Sequence, residues 1–237
     1  MLRAGILTAA ADLFRERGYR AATLDELARR VGIAKPTLYG YFRSKEELLA
    51  AIFHRTMSMF ERDLMAIRTG GEEPAAQLRR VIRFHVGAVI AEQSFLAVFF
   101  SEEANLPPRL SRAIRRRKAR YDRTVRAIVR DGVRNGSVRT ANPRLLVFAL
   151  LGMANWVYQW YDPRGEWNAD TIANDFIALV EPGYLVTPRS RQREVANTLK
   201  RIEADLTRLR PFVANTARAK RRAAPRSPRR RTSTRRG

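Results

Sequence analysis

The sequence TLDELARRVGIAKPTLYGYFRSKEEL, residues Thr23–Leu48, contains two short helix patterns separated by a glycine turn. Thr23 and Glu26 have the spacing of a capping box, in which each side chain accepts a backbone N–H at the start of the first helix. Apolar side chains recur at helical spacing up to Val31, and Gly32 suits the left-handed conformation that follows a helix end. Two helices joined by a short turn containing glycine form a helix-turn-helix motif.

The second helix of this motif, predicted from Lys35 to Tyr41, is too short and too polar to be buried on all sides. Leu38 and Phe42 are four residues apart and can anchor it to the core, which leaves its polar side chains exposed. Lysine, threonine and tyrosine side chains contact base edges and phosphate oxygens in protein–DNA complexes. Capped helices around a glycine turn also occur in domains that bind no DNA, so the motif alone leaves both interpretations open.

A second capping box opens the long helix that follows the motif. Ser44 and Glu47 have the required spacing, and Lys45 lies in the first turn of that helix. The free amides of a first turn and a lysine together favour a phosphate group.

A longer stretch, ILTAAADLFRERGYRAATLDELARRVGIAKPTLYGYFRSKEELL (residues 6–49), resembles the DNA-binding domain of the TetR family of bacterial one-component transcription regulators. The shared features are the apolar positions, the Gly18-Tyr19 turn, the Thr23 cap and the Lys45-Glu46 pair. The resemblance implies that Lys35, Pro36, Thr37 and Tyr39 lie in the major groove, and that Thr23, Tyr39, Tyr41 and Lys45 contact phosphates. Two departures are Ala34, where the family often has a capping serine, and Gly40, where it often has a larger side chain.

Composition is compatible with a DNA-binding protein of the cytoplasm. The chain has 237 residues, of which 45% are hydrophobic, and no cysteine, as expected in a reducing compartment. No apolar run reaches the length of a membrane span, and the N-terminus does not resemble a signal peptide. The net charge is +23, and residues 187–237 contain 17 Lys and Arg against 3 Asp and Glu. The excess charge is therefore mainly in the C-terminal segment.

The rest of the chain is predicted to be helical. No segment has the alternating pattern of a strand, so the predicted fold class is all-α, with about nine helices. One apolar helix is expected from Pro143 to a stop at Pro163, and the last helix of the body is expected to end at Pro182-Gly183. The predicted domains are a helix-turn-helix domain (residues 1–50), a helical ligand-binding and dimerisation domain (51–186), an amphipathic helical extension ending at Pro211 (187–211) and a disordered Arg-rich tail (212–237).

The apolar segment LLVFALLGMANW must be covered on every side. With Ile172, Phe176, Ile177 and Val180 it can form half of a four-helix bundle with a second protomer, and the family resemblance implies the same homodimer. The alternative is that these residues fill a core within one chain.

A small-molecule effector site is predicted from aromatic and basic residues of the middle helices. The aromatics Phe84, Phe99, Phe100, Trp156 and Trp160 can surround an apolar cavity, although aromatic residues at helical spacing more often belong to a core. Arg116, Arg120 and Arg123 share one side of a basic helix and can hold phosphate, whereas such a helix is usually a solvated face. The segment NWVYQWYDPRGEW is similar to the C-terminal region of TetR-type regulators that respond to acyl-coenzyme A thioesters.

Enzymatic chemistry finds little support in the sequence. The chain has two histidines, and no glycine-rich phosphate loop, nucleophile elbow or cluster at metal-ligand spacing, so neither a cofactor nor a metal is expected. His85 lies on an apolar helix face, where a core role is favoured over a ligand contact. The predicted function is a repressor that an apolar effector such as an acyl-CoA releases from a palindromic operator. The alternative is an architectural DNA-binding protein that relies on its basic tail.

Overall fold

A computed structural model describes residues 1–222, apart from the side chains of residues 188–190, 193–194 and 211–222. The contacts divide the chain into two compact units, Met1–Val186 and Thr187–Gly237. The helices of the first unit are α1 (Leu2–Arg17), α2 (Leu24–Val31), α3 (Lys35–Tyr41), α4 (Lys45–Thr69), α5 (Pro74–Ala91), α6 (Gln93–Ser101), a 3₁₀ turn (Glu103–Asn105), α7 (Pro108–Arg134), α8 (Pro143–Asn155), α9 (Val157–Trp160) and α10 (Ala169–Tyr184). The second unit contains α11 (Pro188–Arg222).

The predicted all-α class is confirmed. Over the described residues the only β pairing is an isolated bridge between Val138 and Leu185. By length and composition, no single helix in this part of the chain is suited to cross a membrane, and the one pair that meets the test together, α5 with α6, is bent by 99°.

The core of the first unit is continuous from the N-terminal helices to α10. Helix α1 packs on α2 and α6, and α4 packs on α6 and α7. Helix α5 lies at the centre of the remaining helices, in contact with α7, α8 and α10. The 25 residues of α4 span about 38 Å at the usual rise per residue, so this helix reaches from the helix-turn-helix into the middle of the unit.

Local capping residues begin the helices as predicted. The Thr23 hydroxyl accepts the Glu26 N–H at 3.1 Å, and the Ser44 hydroxyl accepts the Glu47 N–H at 3.2 Å. Gly32 ends α2 with φ of 73°, in the left-handed region where glycine has no steric penalty. In a complete capping box each glutamate would accept the N–H of the cap residue. Here Glu26 pairs with Arg17 instead, and Glu47 accepts the Arg43 N–H.

Two predicted helix ends in the first unit are wrong. The apolar helix expected to run on toward Pro163 breaks at Trp156, which separates α8 from α9. Helix α10 continues past Pro182 to Tyr184, because the buried Tyr184 and the bridge at Leu185 hold its last turn, and the Tyr184 carbonyl accepts the Arg139 N–H at 2.7 Å.

The extension also differs from its prediction. Helix α11 passes Pro211 and reaches Arg222. The proline removes only one backbone hydrogen bond of the helix, and the residues after it include strong helix formers. Residues 223–237, which were also predicted to be disordered, lie outside the described residues.

Candidate DNA-binding surface and effector cavity

Helix α3 has one buried side and one exposed side. Leu38 and the adjoining Phe42 are 0% exposed and anchor the helix, as the sequence predicted. The opposite side exposes all the residues predicted to meet DNA in this helix, namely Lys35, Pro36, Thr37, Tyr39 and Tyr41. Gly40 lies on the same side, and a Cβ there would have nothing within 4 Å. The structure therefore brings one lysine, one threonine and two tyrosine side chains to a single solvent-facing surface.

The lysine of this surface has a carboxylate partner in the free protein. Lys35 Nζ lies 2.7 Å from one oxygen of Asp25, and this hydrogen bond raises the pKa of Lys35. Both side chains are more than half exposed, so the pair is weak and can be replaced by a DNA phosphate or base. Sequence reasoning missed Asp25, because the pair joins two helices across the turn and no spacing rule within one helix identifies it.

Lys45 was predicted to contact a phosphate, and in the free protein its ammonium has other partners, so that role stays a prediction. Its ammonium donates to the carbonyls of Tyr19 (2.8 Å), Arg20 (3.0 Å) and Ala22 (2.8 Å), and it lies over the Tyr19 ring. A lysine ammonium has three N–H donors, and here each has a carbonyl. Lys45 therefore ties the start of α4 to the loop between α1 and α2.

The remaining predicted phosphate contact of the first domain is Thr23. Its side chain is exposed, and its oxygen caps α2. The Thr23 hydroxyl acts as an acceptor in this cap, so its O–H group can still donate to a phosphate oxygen. The role of Thr23 on DNA stays a prediction.

A cavity of about 260 Å³ lies among α4, α5, α6, α7 and α8. Its wall is mostly aromatic and aliphatic, with four polar or charged side chains besides the hydroxyl of Tyr121. The lining residues are Met57, Phe60, His85, Phe99, Phe100, Lys118, Tyr121, Asp122, Leu151 and Asn155. An apolar cavity with a few convergent polar groups is the usual form of a small-molecule site.

His85 lies at the centre of a buried hydrogen-bond relay in this wall. Its Nε2 is 2.6 Å from the Tyr121 hydroxyl, and its Nδ1 is 3.0 Å from Asn155 Oδ1. Burial lowers the pKa of His85 to about 4, so the ring is neutral. The consistent assignment is that Tyr121 donates to Nε2 and that Nδ1–H donates to Asn155, which leaves the two N–H donors of the Asn155 amide for a ligand. The core role predicted for His85 agrees with these contacts.

Two charged side chains of α7 also line the cavity. Lys118 pairs with Glu103 and lies over the Phe99 ring, 4.4 Å from its centroid. Burial raises the pKa of Asp122 above its ordinary range, and nearby arginines oppose this shift. Neither residue was among the predicted effector contacts, although both lie one helical turn from each other on the side of α7 that carries Tyr121.

The predicted effector residues divide into two groups. Phe99 and Phe100 line the cavity, and Phe84 packs edge-on against Phe60, one of its wall residues. The exposed group consists of Arg116, Arg120, Arg123, Trp156 and Trp160, and none of these lines the cavity. For the arginines the reason is helical phase, since Lys118, Tyr121 and Asp122 occupy the inward side of α7.

The geometry defines a class of protein: a helix-turn-helix DNA-binding unit that shares a long helix with a domain containing a ligand-sized cavity. Two family models match the chain, one described as bacterial regulatory proteins of the tetR family (residues 6–52) and one as a tetracyclin repressor-like C-terminal domain (residues 71–183). The chain therefore belongs to the TetR family and is a DNA-binding transcription regulator.

Individual relatives agree with this assignment. The transcriptional repressor KstR2 of Rhodococcus jostii is 28% identical over 190 residues, which are 79% of this chain and 93% of that protein. The crystal structure of the TetR-family regulator PfmR from Thermus thermophilus has a TM-score of 0.69 at 30% identity, over 74% of this chain and 96% of that chain. The crystal structure of AibR in complex with isovaleryl coenzyme A and operator DNA has the same TM-score at 27% identity, over 76% and 97%.

Proposed function

We propose that this protein is a homodimeric repressor in the cytoplasm, and that a short-chain acyl-coenzyme A thioester releases it from a palindromic operator. The observation that carries the proposal is the position of α4. This helix begins just after α3, and its residues Met57 and Phe60 form part of the cavity wall. A ligand in the cavity therefore contacts the helix that follows the DNA-binding surface, and α6, which contributes Phe99 and Phe100, packs on α1.

The size of the cavity supports a small acyl group. Ligand sites for drug-sized molecules have volumes of roughly 300–1,000 Å³, and this cavity is at the lower limit of that range. An acyl group of a few carbons suits it, with the Asn155 amide as donor to the thioester oxygen and the coenzyme A portion outside. AibR, which resembles this chain, binds a branched five-carbon acyl thioester.

The exposed arginines of α7 keep a role in this proposal. Arg116, Arg120 and Arg123 lie outside the acyl cavity, on the outward side of the helix whose inward side carries Lys118 and Asp122, so only the coenzyme A portion, which stays outside the cavity, would reach their guanidinium groups. Arg120→Ala should then weaken binding of isovaleryl-CoA more than binding of free isovalerate. Arg130→Ala, an exposed arginine further along α7, is the matched control, and equal loss for both ligands would contradict the phosphate role.

The dimer is supported by apolar surface on α8 and α10. Leu145 and Phe148 of α8 are exposed by 62% and 44%, Trp156 just after α8 by 60%, and Leu179 of α10 by 74%. Ile172 and Ile177, which were predicted to face a partner, are instead buried in the chain, where α10 packs on α5. A dimer is needed because two copies of α3 must reach successive major grooves, about 34 Å apart.

The test begins with DNA selected by the protein from a random pool. A two-fold symmetric sequence is expected, and isovaleryl-CoA should release it while raising the melting temperature of the free protein. Leu151→Trp fills the cavity and should retain operator binding but lose the response, whereas Met65→Trp, on an exposed part of α4, should retain both. Selected DNA without symmetry, or binding that no acyl-CoA changes, would overturn the proposal and favour the architectural alternative.

The dimer has a separate test. Phe148→Glu places a charge in the exposed apolar face of α8 and should give a monomer that has lost operator binding, because buried unpaired charge is costly. The control is Arg130→Glu, at an exposed position of α7 outside this apolar face. Sedimentation that shows a stable wild-type monomer at micromolar concentration would rule the dimer out.

A further inference from the structure

Helix α11 carries a stripe of half-exposed aliphatic side chains. Its members recur at alternating steps of four and three residues, and their exposed fractions lie between 48% and 56%. They are Val195, Leu199, Ile202, Leu206 and Leu209. Apolar residues at alternating steps of four and three are the pattern of a coiled-coil seam. Large exposed apolar surface of this kind usually marks an interaction site.

This stripe is not accounted for by the DNA-binding surface or the cavity. The C-terminal family model ends at residue 183, and α11 begins at Pro188. The alignments with KstR2, PfmR and AibR include nearly the whole of those proteins but at most 79% of this chain. The helix is therefore an addition to the part of the chain that resembles these regulators.

We propose that α11 binds α11 of other copies of this chain in a parallel four-stranded coiled coil, and so joins two of the proposed dimers into a tetramer. With Leu199 and Leu206 at position a of the heptad, Val195, Ile202 and Leu209 occupy position d. Leucine at a with isoleucine at d favours more than two strands, whereas two strands favour β-branched residues at a. Four is the number of strands that two of the proposed dimers supply. This proposal rests on the dimer of the proposed function.

The flanking charges specify the orientation. Asp205 is at position g and Arg210 at position e of the next heptad, and both side chains are exposed. In a parallel, in-register coiled coil these two positions of neighbouring helices lie side by side, so each Asp205 meets an Arg210 of a neighbour. Lys200, Arg201 and Arg208 occupy outer positions, where their repulsion is reduced by salt.

The seam is tested by sedimentation of the full chain from 1 to 100 μM. The wild type should reach about four times the monomer mass of 27.2 kDa and dissociate to dimers on dilution. Leu199→Ser with Leu206→Ser should be dimeric at every concentration, whereas Asn197→Ser with Ala204→Ser, at exposed outer positions, should remain tetrameric. A wild type that stays dimeric at 100 μM, or a seam variant that stays tetrameric, would overturn the proposal. A monomeric seam variant would instead contradict the dimer of the proposed function.

The orientation is tested by charge exchange. Asp205→Arg and Arg210→Asp should each weaken the tetramer by at least tenfold in dissociation constant, because like charges then face each other. The double variant D205R/R210D should restore wild-type affinity. The two positions are five residues apart and do not face each other within one helix, so rescue reports a contact between helices. Failure of the rescue while both single variants weaken the tetramer would overturn the parallel register.

Discussion

At the scale of single residues, the most informative side chain is Lys45. A lysine in the first turn of a helix beside a DNA-binding helix is expected to meet phosphate, yet its three donors hold the carbonyls of the loop before α2. A hydrogen bond to a charged group contributes about 1.5–3 kcal/mol, and the loss costs most at the carbonyls of Tyr19 and Ala22, which belong to buried residues. We therefore expect Lys45 to affect DNA binding through the position of the helix-turn-helix.

Lys45→Ala should lower the free energy of unfolding by about 2–3 kcal/mol, because three carbonyls lose their donor. The measurement is urea denaturation of the purified protein, with Lys200→Ala, an exposed lysine of α11, as the control that should change nothing. Unchanged stability together with weaker operator binding would show that Lys45 contacts phosphate after all.

Because of His85, we expect the free energy of unfolding to depend on pH. Its pKa is about 4 in the folded chain and near 6.5 when the chain is unfolded, so in this interval the unfolded state binds the proton that the folded state does not. Neutral His85 makes its full contribution to the free energy of unfolding above pH 6.5, and this contribution falls as the pH drops toward 4. Between pH 7.5 and pH 4.5 the expected loss is about 2–3 kcal/mol.

The measurement for His85 compares the wild type with His85→Gln, which lacks a titrating ring. The difference between their free energies of unfolding should shrink by this amount as the pH falls, while Asp122 titrates in both proteins and cancels. A difference that is constant from pH 7.5 to pH 4.5 would contradict a buried neutral His85.

At the scale of elements, α7 is placed by a close approach to the segment that follows it. A Cβ on Gly132 would lie 2.5 Å from Val138 Cγ2, in the region where Val138 and Leu185 form their bridge. Only glycine therefore allows this spacing without a shift of Val138 or of α7. The bridge also fixes the last turn of α10 and so the helices around α5.

Gly132→Ala should destabilise the protein by about 1–3 kcal/mol through this overlap. The matched change Gly40→Ala, where a Cβ meets nothing within 4 Å, should stabilise α3 by roughly 0.5–1 kcal/mol because alanine loses less entropy in a helix. Thermal melts of both variants give the comparison. Equal shifts in the same direction would show that the packing at Val138 is looser than the structure indicates.

At the scale of the whole molecule, the distribution of charge separates general attraction to DNA from sequence recognition. Residues 223–237 contain six arginines and no acidic residue. Each phosphate neutralised by such a residue adds about 0.9 to the slope of log K against log salt concentration, for any DNA sequence. We expect the surface of α3 to contribute the part of the affinity that depends on sequence.

Deletion of residues 223–237 should reduce non-specific affinity and lower the salt slope by up to about 5 per chain. The ratio of operator to non-specific affinity should rise or stay unchanged, because the lost term is common to all DNA. Replacing the six arginines by glutamine keeps the length and serves as the control that should give the same result. Loss of operator recognition with intact non-specific binding would mean that the tail reads DNA sequence or shape.

The sequence by itself determined the features that depend on neighbouring residues. The starts of α2 and α4 follow from hydrogen bonds between residues three apart, and the division of α3 into an anchored and an exposed side follows from the period of the helix. The all-α class follows in the same way, since helical periodicity recurs along the chain.

Only the tertiary structure decided the features that join distant residues. The carbonyls that hold Lys45 lie 23 to 26 residues earlier in the chain, and the relay at His85 reaches Tyr121 and Asn155 on two other helices. The side of α7 that lines the cavity depends on how that helix is rotated against α4 and α5, which a run of arginines does not reveal. The last turn of α10 persists through Pro182 because packing and a bridge to residue 138 outweigh a lost helix bond, and packing energy is a property of the assembled fold.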